Sequence, residues 1–166
     1  MNDVQHIVFL GAAGSGKGTQ AQQLNDEYNY RQISTGDILR AAIRNQTAVG
    51  KTAEGYIKAG DLVPDEIIVT IVRDEIANQL ETKQGFILDG FPRTLNQAKA
   101  LDEQMKHLNT AIDAVILFDI DLEETIARLE GRRICQTCNH VFHIDNAPPK
   151  QCNREDCSGN VVHRVD

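Results

Sequence analysis

Short apolar runs alternate with amphipathic stretches along the chain as far as Gly131. His6-Ile7-Val8-Phe9-Leu10 is a β-branched and aromatic run closed by Gly11, and it predicts a strand buried on both faces. A glycine-rich loop follows, then a helix from Thr19 to Tyr28. A second helix is predicted from Ser34 to Ile43, with Ser34 or Thr35 as its N-cap. Gly50 to Ala59 gives a third, short helix closed by Gly60. A fourth opens at Pro64, with Asp65 and Glu66 in its first turn. Ile67, Ile68, Ile71, Val72 and Ile76 continue it at helical spacing. Gly85 to Asp89 predicts a second buried strand, Leu95 to Leu108 a helix, Ala114 to Asp119 a third strand, and Leu122 to Leu129 a last helix. Strands alternating with helices predict an α/β fold with a parallel central sheet, covered on both faces.

Past Gly131 the pattern changes. Residues 132–166 lack long apolar periodicity, contain Pro148-Pro149 and hold all four cysteines. They predict a small insert or lid outside the sheet. Cys135-Gln136-Thr137-Cys138 is a C-x₂-C knuckle, and Cys152 and Cys157 follow as a second half-site. Two paired half-sites at this separation suit a tetrahedral structural Zn²⁺, with disulfides as the alternative. Cys157 is the expected fourth ligand; Glu155, Asp156, His140 or His143 are the others within reach in sequence. Four protein ligands leave no open position for chemistry. The metal would stabilise a lid too small for an apolar core of its own.

Composition narrows the function. With 166 residues and 41% hydrophobic positions, the chain fits one domain carrying a small insert. It contains no run of about 18 apolar residues, which argues against a membrane span. The amino terminus has no basic n-region or cleavage site, so a cytoplasmic protein is expected. The net charge of −7 argues against a broad grip on nucleic acid or acidic lipid. From Arg128 onward six basic residues meet five acids. That tail is +1, and residues 1–127 carry −8. Any phosphate binding must come from a local pocket.

Such a pocket is legible. Gly11-Ala12-Ala13-Gly14-Ser15-Gly16-Lys17-Gly18-Thr19 lies between a predicted strand and a predicted helix. Glycines let consecutive amides turn inward around phosphate oxygens, the helix N-terminus adds partial positive charge, and Lys17 adds a full one. The general phosphate-loop pattern has Ser or Thr directly after the lysine. Here Gly18 stands there and Thr19 follows. Gly-Lys-Gly-Thr resembles the loop of adenylate kinases and related nucleoside monophosphate kinases. Further segments share the resemblance, in family order. Ile33-Ser34-Thr35-Gly36-Asp37-Ile38-Leu39-Arg40 and Gly60-Asp61-Leu62-Val63-Pro64-Asp65-Glu66 are similar to the two ends of the monophosphate-binding insert. Phe86-Ile87-Leu88-Asp89-Gly90-Phe91-Pro92-Arg93-Thr94 is similar to the family signature, and Gly131-Arg132-Arg133 to the start of the mobile lid.

The resemblance implies a three-layer P-loop NTPase fold, with residues 1–33 and 65–127 as core, 34–64 as a helical AMP-binding insert and 128–166 as a zinc-binding lid. It implies reversible transfer of the γ-phosphoryl group of ATP to AMP, giving two ADP, in purine nucleotide homeostasis. Gly14, Ser15, Gly16, Lys17, Gly18 and Thr19 would bind ATP, with Lys17 on the β- and γ-phosphates. Asp89, at the end of a buried strand, would hold Mg²⁺, through water since Gly18 offers no hydroxyl. Arg40 and Arg93 would clamp the acceptor α-phosphate, a task suited to the planar guanidinium fork. Arg128, Arg132 and Arg164 would close over the donor phosphates. Arg128 and Arg132 share a face if their helix continues; Arg133 is read as a solvated surface residue. Thr35, Gly36, Ile57, Val63, Gly90 and Gln97 match the family's AMP pocket. Thr35 and Thr94 favour AMP, because uridylate and cytidylate kinases tend to have Ala or Ser, and Asn, there. Many bacterial members carry a zinc lid, although their second ligand pair is usually shorter by two residues than Cys152–Cys157. No general base is needed, because the acceptor phosphate is already ionised. Gly131 and Gly159-Asn160 are read as flexible points of the lid or, equally, as ordinary turns.

Family members continue beyond the position of Asp166, so a C-terminally shortened enzyme is expected. It would leave the Ala114–Asp119 strand as an exposed edge and turn over poorly while still binding nucleotide. The alternatives are a kinase of the same fold acting on UMP, CMP or GMP, or, in the shortened form, an inactive nucleotide- and zinc-binding module. A monomer is expected, with ATP and AMP as small-molecule partners and no nucleic-acid or membrane partner.

Overall fold

The computed structural model describes residues 5–59, 61, 63–138, 140–146, 148–155 and 157–163. Two compact units emerge, one formed by Met1–Leu10 with Gln20–Phe118 and the other by Gly11–Thr19 with Asp119–Asp166.

The first unit is an α/β layer structure. In chain order its elements are β1 (His6–Gly11), α1 (Lys17–Tyr28), β2 (Arg31–Ser34), α2 (Thr35–Arg44), α3 (Ala48–Ala59), α4 (Asp65–Glu81), β3 (Phe86–Asp89), α5 (Leu95–His107) and β4 (Ala114–Phe118); β1 and α1 each reach into the loop assigned to the second unit. The sheet order is β2-β3-β1-β4, and β3 pairs in parallel with both β1 and β2. Phe9 and Ser34 both stand in register with Asp89, so three strands end at one level.

Period-two alternation divides the core. Val8, Ile33, Phe86 and Leu88 pack with Ile68, Val72 and Ile76 of α4 and with Leu101 and Met105 of α5. Ile7, Phe9 and Ile87 point to the other face, where Ala21 and Leu24 of α1 cover them. The expected cover on both faces is therefore present over β1 and β3. β2 and β4 are the two edge strands, and on β4 Val115 is 60% and Leu117 67% exposed.

Element ends shift for local reasons. α1 begins at Lys17, two residues before the expected Thr19, because the glycine loop feeds straight into the first turn. Ser34 is the N-cap of α2, its hydroxyl accepting from the Asp37 N–H. Pro64 occupies the N-cap position of α4, and Asp65 and Glu66 fill the first turn as expected. The sequence pattern does not predict β2. Its four residues, Arg31-Gln32-Ile33-Ser34, contain one apolar side chain and no alternation, and pairing to β3 makes them a strand.

The second unit holds the glycine loop, α6 (Leu122–Gly131), and a three-stranded antiparallel sheet, ordered β6-β5-β7, of β5 (Arg132–Cys135), β6 (Val141–His143) and β7 (Val161–His163). One expectation is corrected here. α6 stops at Gly131 and Arg132 is extended (φ −68°, ψ 132°), so Arg128 and Arg132 do not share a helical face. Arg132 instead pairs with His143 across β5 and β6. Gly131 and Gly159 are also close-packing points. A Cβ on Gly131 would collide with the His143 ring, and one on Gly159 would meet Cys135 Sγ at 2.7 Å. Among the described residues no helix is long and apolar enough to cross a membrane.

Candidate functional site

The glycine loop is a turn built by backbone geometry. Gly14 and Gly16 have φ of +80° and +98°, values that side-chain-bearing residues rarely adopt, and Ser15 N–H donates to Ala12 O at 3.2 Å. Gly14 is also tight: a Cβ there would meet Leu129 Cγ at 3.2 Å and Thr125 O at 3.3 Å, both on α6. The Lys17 ammonium donates to the carbonyls of Gly11 (3.0 Å) and Ala12 (2.7 Å) and lies 3.5 Å from Ser15 Oγ. The Lys17 cation is thus held by carbonyls of the loop that precedes it. Arg128 reaches the same loop, its guanidinium 4.0 Å from where a Cβ of Gly16 would lie, and its Nε donates to Glu124 at 2.7 Å. Gly18 and Thr19 follow in the first turn of α1. Arg164 lies outside the described residues, and Arg132 is half-buried at the start of β5.

A second constellation forms in the first unit. Gly90, with φ +81°, follows β3, and its carbonyl accepts from Thr35 Oγ1 at 3.0 Å and from Arg93 Nε at 2.8 Å. A Cβ on Gly90 would sit 2.9 Å from Arg93 Nη2 and 3.0 Å from Thr35 Oγ1, so only glycine leaves both in place. Arg93 N–H donates to Gln97 Oε1 at 2.8 Å. Arg40 lies over Gly36, both terminal guanidinium nitrogens 3.1 Å from where a Cβ of that glycine would be, and Nη2 pairs with Asp37 at 2.8 Å. Thr35, Gly90, Arg93 and Gln97 are therefore one connected group, and Gly36 and Arg40 another. Val63 packs half-buried against the main core, and Ile57 is 51% exposed on α3. Asp89 accepts from Gln32 Nε2 at 2.9 Å.

The four cysteines converge. The Sγ atoms of Cys135, Cys138, Cys152 and Cys157 all lie within 4.8 Å of one another, with Cys135–Cys157 at 3.5 Å and Cys138–Cys152 at 3.7 Å. Tetrahedral zinc with Zn–S bonds of about 2.3 Å requires sulfurs about 3.8 Å apart. A disulfide would require about 2.05 Å, and all four cysteines are free. The N–H groups of Cys138 (3.5 Å) and Thr137 (3.4 Å) point at Cys135 Sγ and lower its thiol pKa to about 6 against the opposing effect of burial. Burial pushes the Cys138 thiol up to about 12. Four sulfurs this close ionise together only around a cation, and the all-thiol donor set fits zinc. Cys157 completes the group. Glu155, His140 and His143 do not belong to it, and Asp156 lies outside the described residues.

Partners that fix these side chains were missed in the sequence. Asp37 holds Arg40 and Glu124 holds Arg128 at helical spacings of three and four, which sequence could have flagged. Gln32, on Asp89, and Asp65, on Gln97, are far from their partners along the chain and left no local signal.

A parallel sheet, a glycine loop between β1 and α1, and polar side chains gathered where strands end define a phosphate-binding-loop protein of the α/β class. The sequence model of the adenylate kinase family matches residues 9–166. The chain is 48% identical to an adenylate kinase of Archaeoglobus fulgidus over 162 residues, covering 97% of this chain and 74% of that protein. It is 46% identical to one of a Geobacter species (97% and 75%) and 48% identical to one of Enterococcus faecalis (96% and 74%). The chain belongs to the adenylate kinase family.

Proposed function

We propose that this chain is a nucleoside monophosphate kinase that reversibly transfers the γ-phosphoryl group of ATP to AMP, giving two ADP. The observation that carries the reading is the family match over residues 9–166, within which the phosphate loop and the Thr35–Gly90–Arg93–Gln97 group are both formed.

Phosphoryl transfer needs position and charge more than covalent chemistry. On the donor side, the amides of Gly14 to Thr19 cradle the ATP phosphates. Lys17 exchanges its loop carbonyls for β- and γ-phosphate oxygens, a favourable trade of neutral for ionic acceptors. Arg128 and Arg132, with Arg164, neutralise the moving charge. On the acceptor side, Arg40 and Arg93 hold the α-phosphate. Asp37 orients Arg40, and the Gly90 carbonyl holds Arg93 by Nε, so its terminal nitrogens face the ligand. Thr35, Gly36, Ile57, Val63, Gly90 and Gln97 receive the adenosine. Mg²⁺ bound with ATP supplies further charge neutralisation, and the Asp89 carboxylate, a hard oxygen donor, suits it. Residues 34–64 serve as the acceptor insert and 128–166 as a lid that excludes water when both substrates are bound. Structural zinc on Cys135, Cys138, Cys152 and Cys157 holds the lid together. The protein works as a cytoplasmic monomer in adenine nucleotide balance.

With Mg–ATP and AMP, ADP should form at two per AMP consumed, and Lys17→Met should abolish it without changing the unfolding midpoint. ATP loss that does not depend on AMP would overturn the reading.

A further inference from the structure

Asp65 opens α4, where a carboxylate suits the helix dipole. Its contacts reach further than that. Oδ1 accepts from Gln97 Nε2 at 2.6 Å, and Oδ2 accepts from the Thr94 hydroxyl at 2.7 Å. Gln97 is 5% exposed, and its Oε1 accepts from the Arg93 N–H at 2.8 Å. Its own N–H donates to Thr94 Oγ1 at 3.1 Å.

A carboxylate only accepts hydrogen bonds and a backbone N–H only donates them. Asp65 therefore draws the nitrogen end of the Gln97 amide and Arg93 draws the oxygen end, which fixes the amide against rotation. Among the described residues, one N–H and one oxygen lone pair of that amide remain uncommitted, in a fixed order. This donor–acceptor pair complements a purine with a ring-nitrogen acceptor beside an amino donor. A 6-oxo purine presents the reverse order and would need the amide turned over. Turning it over would set the Gln97 oxygen against the Asp65 carboxylate and its NH₂ against the Arg93 N–H, so both bonds would become repulsive.

We infer that Asp65 is a specificity-determining positioning residue: by fixing the orientation of the Gln97 amide, it sets the preference of the acceptor site for 6-amino over 6-oxo purine monophosphates. The inference rests on the reading of Gln97 as a residue of the acceptor pocket. The neighbouring Glu66 shares the first helical turn, is exposed and serves as the control.

The test titrates AMP and IMP, which differ only at the 6-position and N1, into the full chain by calorimetry. The wild type should bind AMP more tightly. Asp65→Asn offers Gln97 both a donor and an acceptor, and should cut the AMP:IMP affinity ratio about tenfold or more. Asp65→Glu should keep most of the ratio, and Glu66→Gln all of it. ATP affinity should not move in any variant. If Asp65→Asn does not fold, the pair Asp65→Glu and Asp65→Gln repeats the comparison, with the ratio kept in the first and lost in the second. An unchanged ratio in a folded Asn or Gln variant would overturn the role of Asp65 alone. A wild type that binds neither ligand would overturn the acceptor-site reading itself, and this inference with it.

Discussion

Gly50, in the first turn of α3, and Gly55, in its interior, both have a helical backbone, and helix propensity favours Ala over Gly at each by up to about 1 kcal/mol. The packing separates them. Among the described residues, nothing lies within 4 Å of a Cβ added at Gly55. A Cβ added at Gly50 would overlap the carbonyl of Ala42 and come within 2.7 Å of Ile43 N, both backbone atoms of α2. Backbone cannot rotate away, so α3 must move off α2. Overpacking of this kind costs about 1–3 kcal/mol, and rigid backbone on the other side puts Gly50 at the upper end. Subtracting the propensity gain leaves about 2 kcal/mol of net destabilisation. For a domain this size, about 2–4 °C of melting temperature accompanies each kcal/mol. Gly55→Ala should therefore raise Tm by about 2–4 °C and Gly50→Ala lower it by about 4–8 °C. Thermal unfolding followed by circular dichroism reads both. Gly50→Ala should also weaken AMP binding more than ATP binding, since α2 carries Arg40 and α3 carries Ile57. Equal stabilisation by the two substitutions would refute the close helix contact.

Two further predictions test the cysteine cluster and the sheet. Metal analysis should give about one zinc per chain, lost in Cys138→Ser, with amide exchange accelerated in β5 and β7 but unchanged in β1 and β3; retained zinc, or uniform acceleration, would contradict a local metal staple. His6 is 3% exposed and stacks on Phe86, with ring centroids 4.1 Å apart, and burial lowers its pKa from 6.5 against the opposing pull of Asp113. Below that value the unfolded chain takes up a proton that the folded one refuses, so stability should fall as pH drops from about 7 to 5. His6→Phe should flatten this dependence of the urea midpoint, and an identical slope would rule out His6 as its source.

The legible parts of the fold were those with dense local signals. β1 and β3 are continuous apolar runs, and α4 combines a proline start, first-turn acids and isoleucines at helical spacing. β2 carries one apolar residue and exists through its neighbour, and β5 to β7 are short strands of mixed polarity organised around clustered sulfur. Close packing at Gly131 beside His143 and at Gly159 beside Cys135 had no signal in the sequence, because it depends on side chains brought in from other elements. Candidate site residues were visible where motif spacing carries the chemistry, as in the glycine loop and the cysteine pairs. The side chains that orient them were not, because Asp65 meets Gln97 and Gln32 meets Asp89 only after folding.

The central claim is that AMP is the acceptor. Initial rates with Mg–ATP and equal concentrations of AMP, GMP, CMP and UMP test it most directly, and the ranking does not depend on absolute turnover. AMP should be phosphorylated fastest, with ADP as the only nucleotide product. A faster rate with any of the other three, or ATP hydrolysis with no acceptor phosphorylated, would contradict it.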